Sequence, residues 1–501
     1  MEFLLNAANR GSVSTGYDIE NSILIDADTG EEMYYTTGSS SSDQQKGTFS
    51  FWIKRGRITY GNFSPMQIND YGAPYHAGCY FGSGSTLADR LYWNHKDNSS
   101  QWTAWMRVFR DPAAWYHIVV VIDTTQADGD DRHRMYVNGG SAEDIKDTNG
   151  HNAPVSQNDN YFWFDNGRKM TIGGISTGDA YIADYHYIDG QVKAPSDFGE
   201  FDEDTNIWKP KAYSGSHGNN GFHLKFESSG SLGTDSSGNG NNFSLTNIDA
   251  GNQMTDSPTN NFATLNPLAS NPYDDAGGGG NIRIAPVGAG PGNLQAGHET
   301  GSFSQNYVAM YGTIALSKGK WYWEVTDNGH GFNTFKSGVK DANMMHNHDE
   351  KAGSFFLSTD GTFHKRGGSG AAGGDQTGDW SGYEGSLSAN DVIGMGLDMD
   401  NKRVYIYNNN TLVKDSAPYY DVMTQWTHTV LQSGWVVPFH WSRYGYQDNC
   451  FNFGQGWAWL DNSTSTIKAS NSADGDGYGK FRYTPPTGFY AICSKNLAEY
   501  G

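Results

Sequence analysis

The chain has little that would staple it or let it span a membrane. It carries three cysteines in 501 residues, Cys79, Cys450 and Cys493, an odd number without paired spacing. That excludes a disulfide framework and matches no zinc-finger pattern, so three small buried hydrophobes in a reducing cell are expected. No apolar run approaches the ~20 residues that cross a bilayer. The opening MEFLLNAANR holds an apolar stretch too short for a secretory signal. The expectation is synthesis in a cytoplasm, no export by that route and no membrane insertion. Bases are scarce, 34 against 55 acids, for a formal net charge of −21. Nucleic acids and anionic membranes need basic patches, so neither is an expected partner. Heptads, a collagen-type glycine repeat and a short solenoid period are missing. So are H-E-x-x-H and P-loop motifs. Glycosidases need two carboxylates across a cleft, and no motif singles out such a pair here. No enzyme activity and no cofactor are expected.

Aromatics and glycine are plentiful. Aromatics make up 14% of the chain, as 30 Tyr, 25 Phe and 15 Trp, beside 64 Gly. That is enough to build cores, and the mix suits β-sandwiches with long loops better than helical bundles. The length allows two or three domains. The most informative stretch is Gly319 to Thr326, GKWYWEVT, where Trp321, Trp323 and Val325 alternate with Tyr322, Glu324 and Thr326. This period of two predicts a half-buried strand. Asn390 to Asn410 reads as strand, Asp-Asn turn, strand and Asn-rich turn. Trp435 to Trp441 and Phe451 to Gln455 add two more strand signals. Turn-separated aromatic strands specify an antiparallel sandwich.

This set resembles the SPRY (B30.2) family. Trp321, Tyr322, Glu324 and Val325 match its opening W-Y-W-E-V. Asp391, Ile393, Gly394, Leu397 and Asp398 match its G-D-x-I-G-x-x-L-D, with Asn390 in place of the usual Gly. Pro438 and then Asn452, Phe453, Gly454 and Gln455 match its closing N-F-G-Q. The resemblance implies a concanavalin-like sandwich over 281–457 that binds partners with its loops and does no chemistry. Residues 458–501 are expected to cap it with strands around Pro485-Pro486.

An earlier block, 21–201, follows an N-terminal arm at 1–20. Phe49, Phe51 and Ile53 alternate with Ser50, Trp52 and Lys54. Ala114 to Thr125 is a buried strand, paired across an acidic loop with His133 to Gly140. Asn138-Gly139 is a turn signal. Ser22 to Thr37 reads as two short strands around Asp28-Thr29-Gly30, and Pro195-Ser196 starts a short helix. The block resembles the laminin-G/concanavalin A-like sandwich of tailed-bacteriophage virion proteins. The carrying residues are Phe51, Trp52, Lys54, Arg55, Trp115, His117, Asp123, Tyr136 to Gly139, Ile182 to Asp184, Ile188 to Gly190, Pro195, Phe198 and Gly199. Residues 202–280, rich in Asn, Gly, Ser and Pro, read as an extended linker. Its D-S-S-G-N-G-N-N-F and P-T-N-N-F-A-T-L-N-P runs also resemble such virion proteins. The fold class expected is all-β, two concanavalin-like antiparallel sandwiches of jelly-roll type.

The resemblance implies a structural, adhesive virion protein, a tail fibre or tail-associated appendage that binds a host surface glycan or glycoconjugate. Other virion proteins are the expected partners. Homo-oligomers are expected because avidity multiplies weak single sites. A capsid decoration protein and a virion glycan hydrolase are the alternatives. The candidate ligand-binding residues are Trp380, Tyr383 and Asp379, in a Gly/Asp loop at Gly374 to Gly385, with His346 and His348. Aromatic faces stack on sugars and anchor partners, though Trp380 could equally plug the sandwich end. His346 and His348 are spaced to share a metal, with a polar loop as the plainer alternative. Asp123, Asp128, Asp130 and Asp131 could gather oxygens around Ca²⁺, with a solvated acidic loop as the alternative.

Overall fold

A computed structural model describes residues 16–56, 58, 63–69, 76–82, 87–95, 102–145, 155–174, 178–269, 271–273, 291–296, 307–327, 336–344, 354–358, 363–366, 387–388, 391–401, 403–413, 434–443, 449–456, 459–461, 466–468 and 471–501. Among them the regular structure is β-strand, almost all of it paired antiparallel, with short 3-10 turns and one α-helix, Ser494–Tyr500. The chain divides into two compact units, one within Val13–Asn260 and one carried by Asn261–Gly501. Each is built on two large β-sheets, so the expected all-β pair of sandwiches is what the chain forms.

In the first unit one sheet runs Gln253–Met254, Ser22–Asp26, Asp179–Asp189, Lys46–Arg55, Trp115–Asp123, His133–Val137. Phe222–Leu224 pairs with the second half of Asp179–Asp189. The facing sheet runs Ser244–Thr246, Glu32–Thr36, Lys169–Gly173, Met66–Asn69, His76–Phe81, Arg90–Asn94, Trp102–Val108. Alternation decides the layers: Phe49, Phe51, Ile53, Ile118 and Val120 share one core with Met66, Ile68, Phe81, Trp93 and Ile172. The strands around Asp28-Thr29-Gly30 exist, but they enter different sheets and do not make a hairpin. The hairpin of Trp115–Asp123 with His133–Val137 forms around the acidic loop. Asn138 and Gly139 take φ of 49° and 68°, the left-handed pair that an Asn-Gly turn supplies.

Residues 202–260, expected as part of an extended linker, are instead woven into this unit. Phe222–Leu224, Ser244–Thr246 and Gln253–Met254 each add to a sheet. Strands of two or three residues are too short to show a clear period; Phe222–Leu224 falls in a stretch that reads as a strand, Gly221 to Gly230, whereas the other two carry no such signal. Their turn residues do the fastening. The Asp235 carboxylate accepts from the backbone N–H of His223, Ser237 and Asn241. Asn239 and Asn241 donate to the carbonyl of Gly221.

In the second unit one sheet runs Asn271–Tyr273, Tyr307–Tyr311, Val436–Arg443, Lys336–Asp341, Ser354–Ser358, Phe363–Arg366. The other runs Gln295–Ala296, Asn449–Asn452, Lys320–Asp327, Val392–Asp398, Arg403–Asn408, Thr411–Leu412, with Tyr490–Ala491 added parallel to Lys320–Asp327. His440 and Phe451 meet edge to face between the two sheets, 5.1 Å apart. Lys320–Asp327 is not half-buried as its alternation suggests. Trp321, Trp323 and Val325 are buried, and so are Tyr322, Glu324 and Thr326. The returning C-terminal segment covers the second face with Phe481, Phe489 and Ala491. Gly394 and Gly396 make room for that cover: a Cβ on Gly394 would meet the Tyr322 hydroxyl at 2.3 Å, and one on Gly396 would crowd Phe489.

Candidate functional site

Trp380, Tyr383, Asp379, His346 and His348 lie outside the described residues. The acidic hairpin loop is described. Asp123 accepts from the Thr125 N–H and hydroxyl and from the Gln126 amide, which lowers its pKa against the opposing effect of burial. Asp128 caps the Asp130 N–H, and Asp131 lies 3.9 Å from Arg134. Arg132 donates to the carbonyls of Gln126, Ala127 and Val155. The loop is thus braced by its own side chains. A G-x-S-x-G string does occur at Gly174 to Gly178. It joins two strands, Lys169–Gly173 and Asp179–Asp189, and not the strand and helix of a nucleophile elbow.

The family-motif residues are occupied inside the fold. Asp189 accepts from Ser41, from the Ser42 N–H and from the Asn220 N–H, tying two loops to one strand end. Glu324 accepts from the N–H groups of Arg482 and Tyr483, each at 2.8 Å, and from Asn452 at 3.4 Å. Burial pushes its pKa up to about 7, against the opposing pull of those donors.

A site that sequence reasoning missed lies on the outer face of the first unit's central sheet. The Asp179–Asp189 strand slips register between Ala183 and His186, setting Asp184 and Tyr185 against a single partner residue. At this bulge Asp184 takes φ of 46°, uncommon for a residue with a Cβ. His186 follows, directly paired in register with His223 of Phe222–Leu224. The two imidazoles stack with centroids 3.8 Å apart and planes at 20°. Asp184 reaches both Nε2 atoms, at 2.7 Å from His223 and 3.4 Å from His186. His217, on the loop before, brings its Nε2 to 3.1 Å from His186 Nδ1.

That loop is pinned by a hydrogen bond from the Asp189 N–H to the His217 carbonyl, and Gly221 permits it. A Cβ there would sit 1.8 Å from the same carbonyl. Tyr17 donates its hydroxyl to Asp184 at 2.8 Å, and Phe198 and Tyr213 pack against His186. The cluster is nearly dry: His186 is 1% exposed, His217 and His223 8% each, and Asp184 3%.

The electrostatics follow from that burial. Burial would raise the Asp184 pKa, but the facing imidazoles of His186 and His223 outweigh it and hold the carboxyl well below its usual range. Burial and the neighbouring His223 push His186 down to about 4, and burial pushes His217 down to about 3. One ligand atom each from His186, His217 and His223 lies within 4.8 Å of the others. Only the short H-x5-H of His217 and His223 hinted at this. The third member is set by strand register, which the sequence does not display.

No protein-family model and no curated protein matches the chain. Solved structures that it is similar to include the SPRY domain of human HERC1, at 14% identity and TM-score 0.22, covering 31% of this chain and 85% of that one. A Bacteroides ovatus protein described as carbohydrate binding matches at 14% identity and TM-score 0.32, covering 46% of this chain and 59% of its own. Mouse laminin alpha1 domains LG4-5 match at 11% identity and TM-score 0.28, covering 88% of each chain.

Proposed function

We propose that the chain is a structural, adhesive virion protein of a tailed bacteriophage, a tail fibre or tail-associated appendage that binds host surface glycans without cleaving them. The observation that supports this reading most is where the family-motif residues are spent. Asp189, Asp235, Asn239, Asn241, Glu324 and Asn452 all bind other parts of the same chain and hold loops and strands together. The motifs that resemble virion proteins therefore build a scaffold. Recognition is left to loops, with Trp380 and Tyr383 as stacking platforms and Asp379 beside them. Self-association would raise the effective affinity of such sites.

The test is adsorption of the purified full chain to host cells, with and without Trp380→Ala. At least a tenfold loss of adsorption is expected with folding intact. Adsorption equal to that of the parent protein removes this site. New reducing ends from envelope polysaccharide would make the protein a hydrolase. Density on the capsid shell of an imaged particle would make it a decoration protein.

A further inference from the structure

We infer that His186, His217 and His223 form a binding site for a divalent transition ion of the zinc class, with Asp184 holding two of the imidazoles from behind. Two of the rings already use one side. Asp184 lies against Nε2 of both His186 and His223, at 3.4 and 2.7 Å. The Nδ1 side is therefore the one open to an ion, and there the His217 Nε2 stands 3.1 Å from His186 Nδ1. Two nitrogens bound to one tetrahedral zinc at ~2.0–2.1 Å are roughly 3.3 Å apart, so this pair is already at ligand spacing. One nitrogen from each of the three rings lies within 4.8 Å of the others. Closing on an ion asks the stacked rings of His186 and His223 to splay by rotating about χ2.

A carboxylate on the far nitrogen of a liganding histidine fixes its tautomer and raises its basicity, and Asp184 serves two rings at once. Tyr17 in turn orients Asp184. Backbone geometry supports the placement. A left-handed, bulged Asp184 is costly, and such conformations persist where the surroundings demand a particular side-chain position. The donor set selects the metal class: imidazole nitrogens suit zinc, copper, nickel or iron, whereas Ca²⁺ and Mg²⁺ want oxygen. The cluster sits among Phe198 and Tyr213 rather than in an open cleft, so a structural ion is the fitting role. It would tie the Phe222–Leu224 strand and the His217 loop to the central strand. This inference stands apart from the glycan reading and does not depend on it.

The experiment is titration of Zn²⁺ into chelator-stripped full chain, followed by calorimetry, with Co²⁺ absorption reporting coordination geometry. One equivalent should bind, with a tetrahedral Co²⁺ spectrum. His217→Ala should lower the affinity at least tenfold, and Asp184→Asn by about 10- to 100-fold as a positioning residue. A His346→Ala/His348→Ala protein should bind like the parent. Circular dichroism checks folding. If Asp184→Asn does not fold, His217→Ala and His217→Gln decide the question. No binding by the folded parent chain, binding unchanged in the His217 variants, or binding lost only in the His346/His348 protein would each overturn the site.

Discussion

The first unit covers the outer face of its central strand with charge and imidazole; the second covers the equivalent face with rings and a single carboxylate. On Lys46–Arg55, Lys54 is fully buried and paired at 2.8 Å with Asp256, which also accepts from Trp115 at 2.9 Å. On Lys320–Asp327, Glu324 is fully buried and faces backbone N–H groups, with Phe481 and Phe489 beside it. In both, the cover is the unit's own last segment folding back. A buried ion pair has no cheap protonation escape when one partner is lost, whereas a lone buried carboxylate can take a proton. The two units should therefore fail differently.

The sharpest break in that symmetry is Asp256→Ala. It removes the carboxylate that Lys54 and Trp115 share, and the first unit should lose ~3–5 kcal/mol while the second is untouched. Hydrogen-exchange mass spectrometry reads each unit through its own peptides. A loss shared equally by both units would sink the comparison.

Acid should separate them next. Burial depresses His95 and His117 to about 3, and it drives down His133, whose ring nitrogens meet no hydrogen-bond partner among the described residues. Below pH 6.5 the unfolded chain takes up protons that these rings refuse. Their contribution is thus present above that pH and lost as pH falls, by up to ~1.4 kcal/mol per pH unit for each group. Glu31 in the first unit and Glu324 in the second run the other way. With each pKa raised to about 7, the native state holds a proton that the unfolded chain releases, so stability falls as pH rises from 4.5 to 7. In the first unit these three histidines, with His186 and His217 depressed in the same direction, outweigh one glutamate. In the second His440, at about 3, roughly offsets Glu324. Between pH 6.5 and 4.5, with chelator present, the first unit should weaken and the second stay nearly level. Glu324→Gln should tilt the second unit towards acid lability, and a level profile in that variant would contradict the assignment.

The smallest effect belongs to the surface. Lys320 pairs with Asp398 at 3.1 Å but is 35% exposed, so Lys320→Ala should cost the second unit less than ~1 kcal/mol.

Much of the architecture was legible because long strands advertise their period. Phe49, Phe51 and Ile53 do face the core, and the Asn138-Gly139 turn is where its chemistry places it. What escaped were features that depend on partners far away in sequence. Lys54 is buried only because Asp256 arrives 202 residues later, and Tyr322 and Glu324 only because residues 481–491 return. The C-terminal helix Ser494–Tyr500 was masked by the strand-like run before it. The histidine cluster rests on a bulge and on cross-strand register, neither of which leaves a spacing to find. The loop residues named as the glycan site fall outside the described residues.

The pairing of Ser22–Asp26 with Gln253–Met254 also bears on how the protein is made. At ~5–20 residues per second, a ribosome needs roughly ten to fifty seconds to get from the first of these strands to the second. Throughout that interval one flank of SILID is bare and Lys54 lacks the Asp256 carboxylate. A nascent chain stalled or clipped short of the 250s would expose an adhesive edge, so a chaperone that shields this early strand would be worth most to the cell during those seconds.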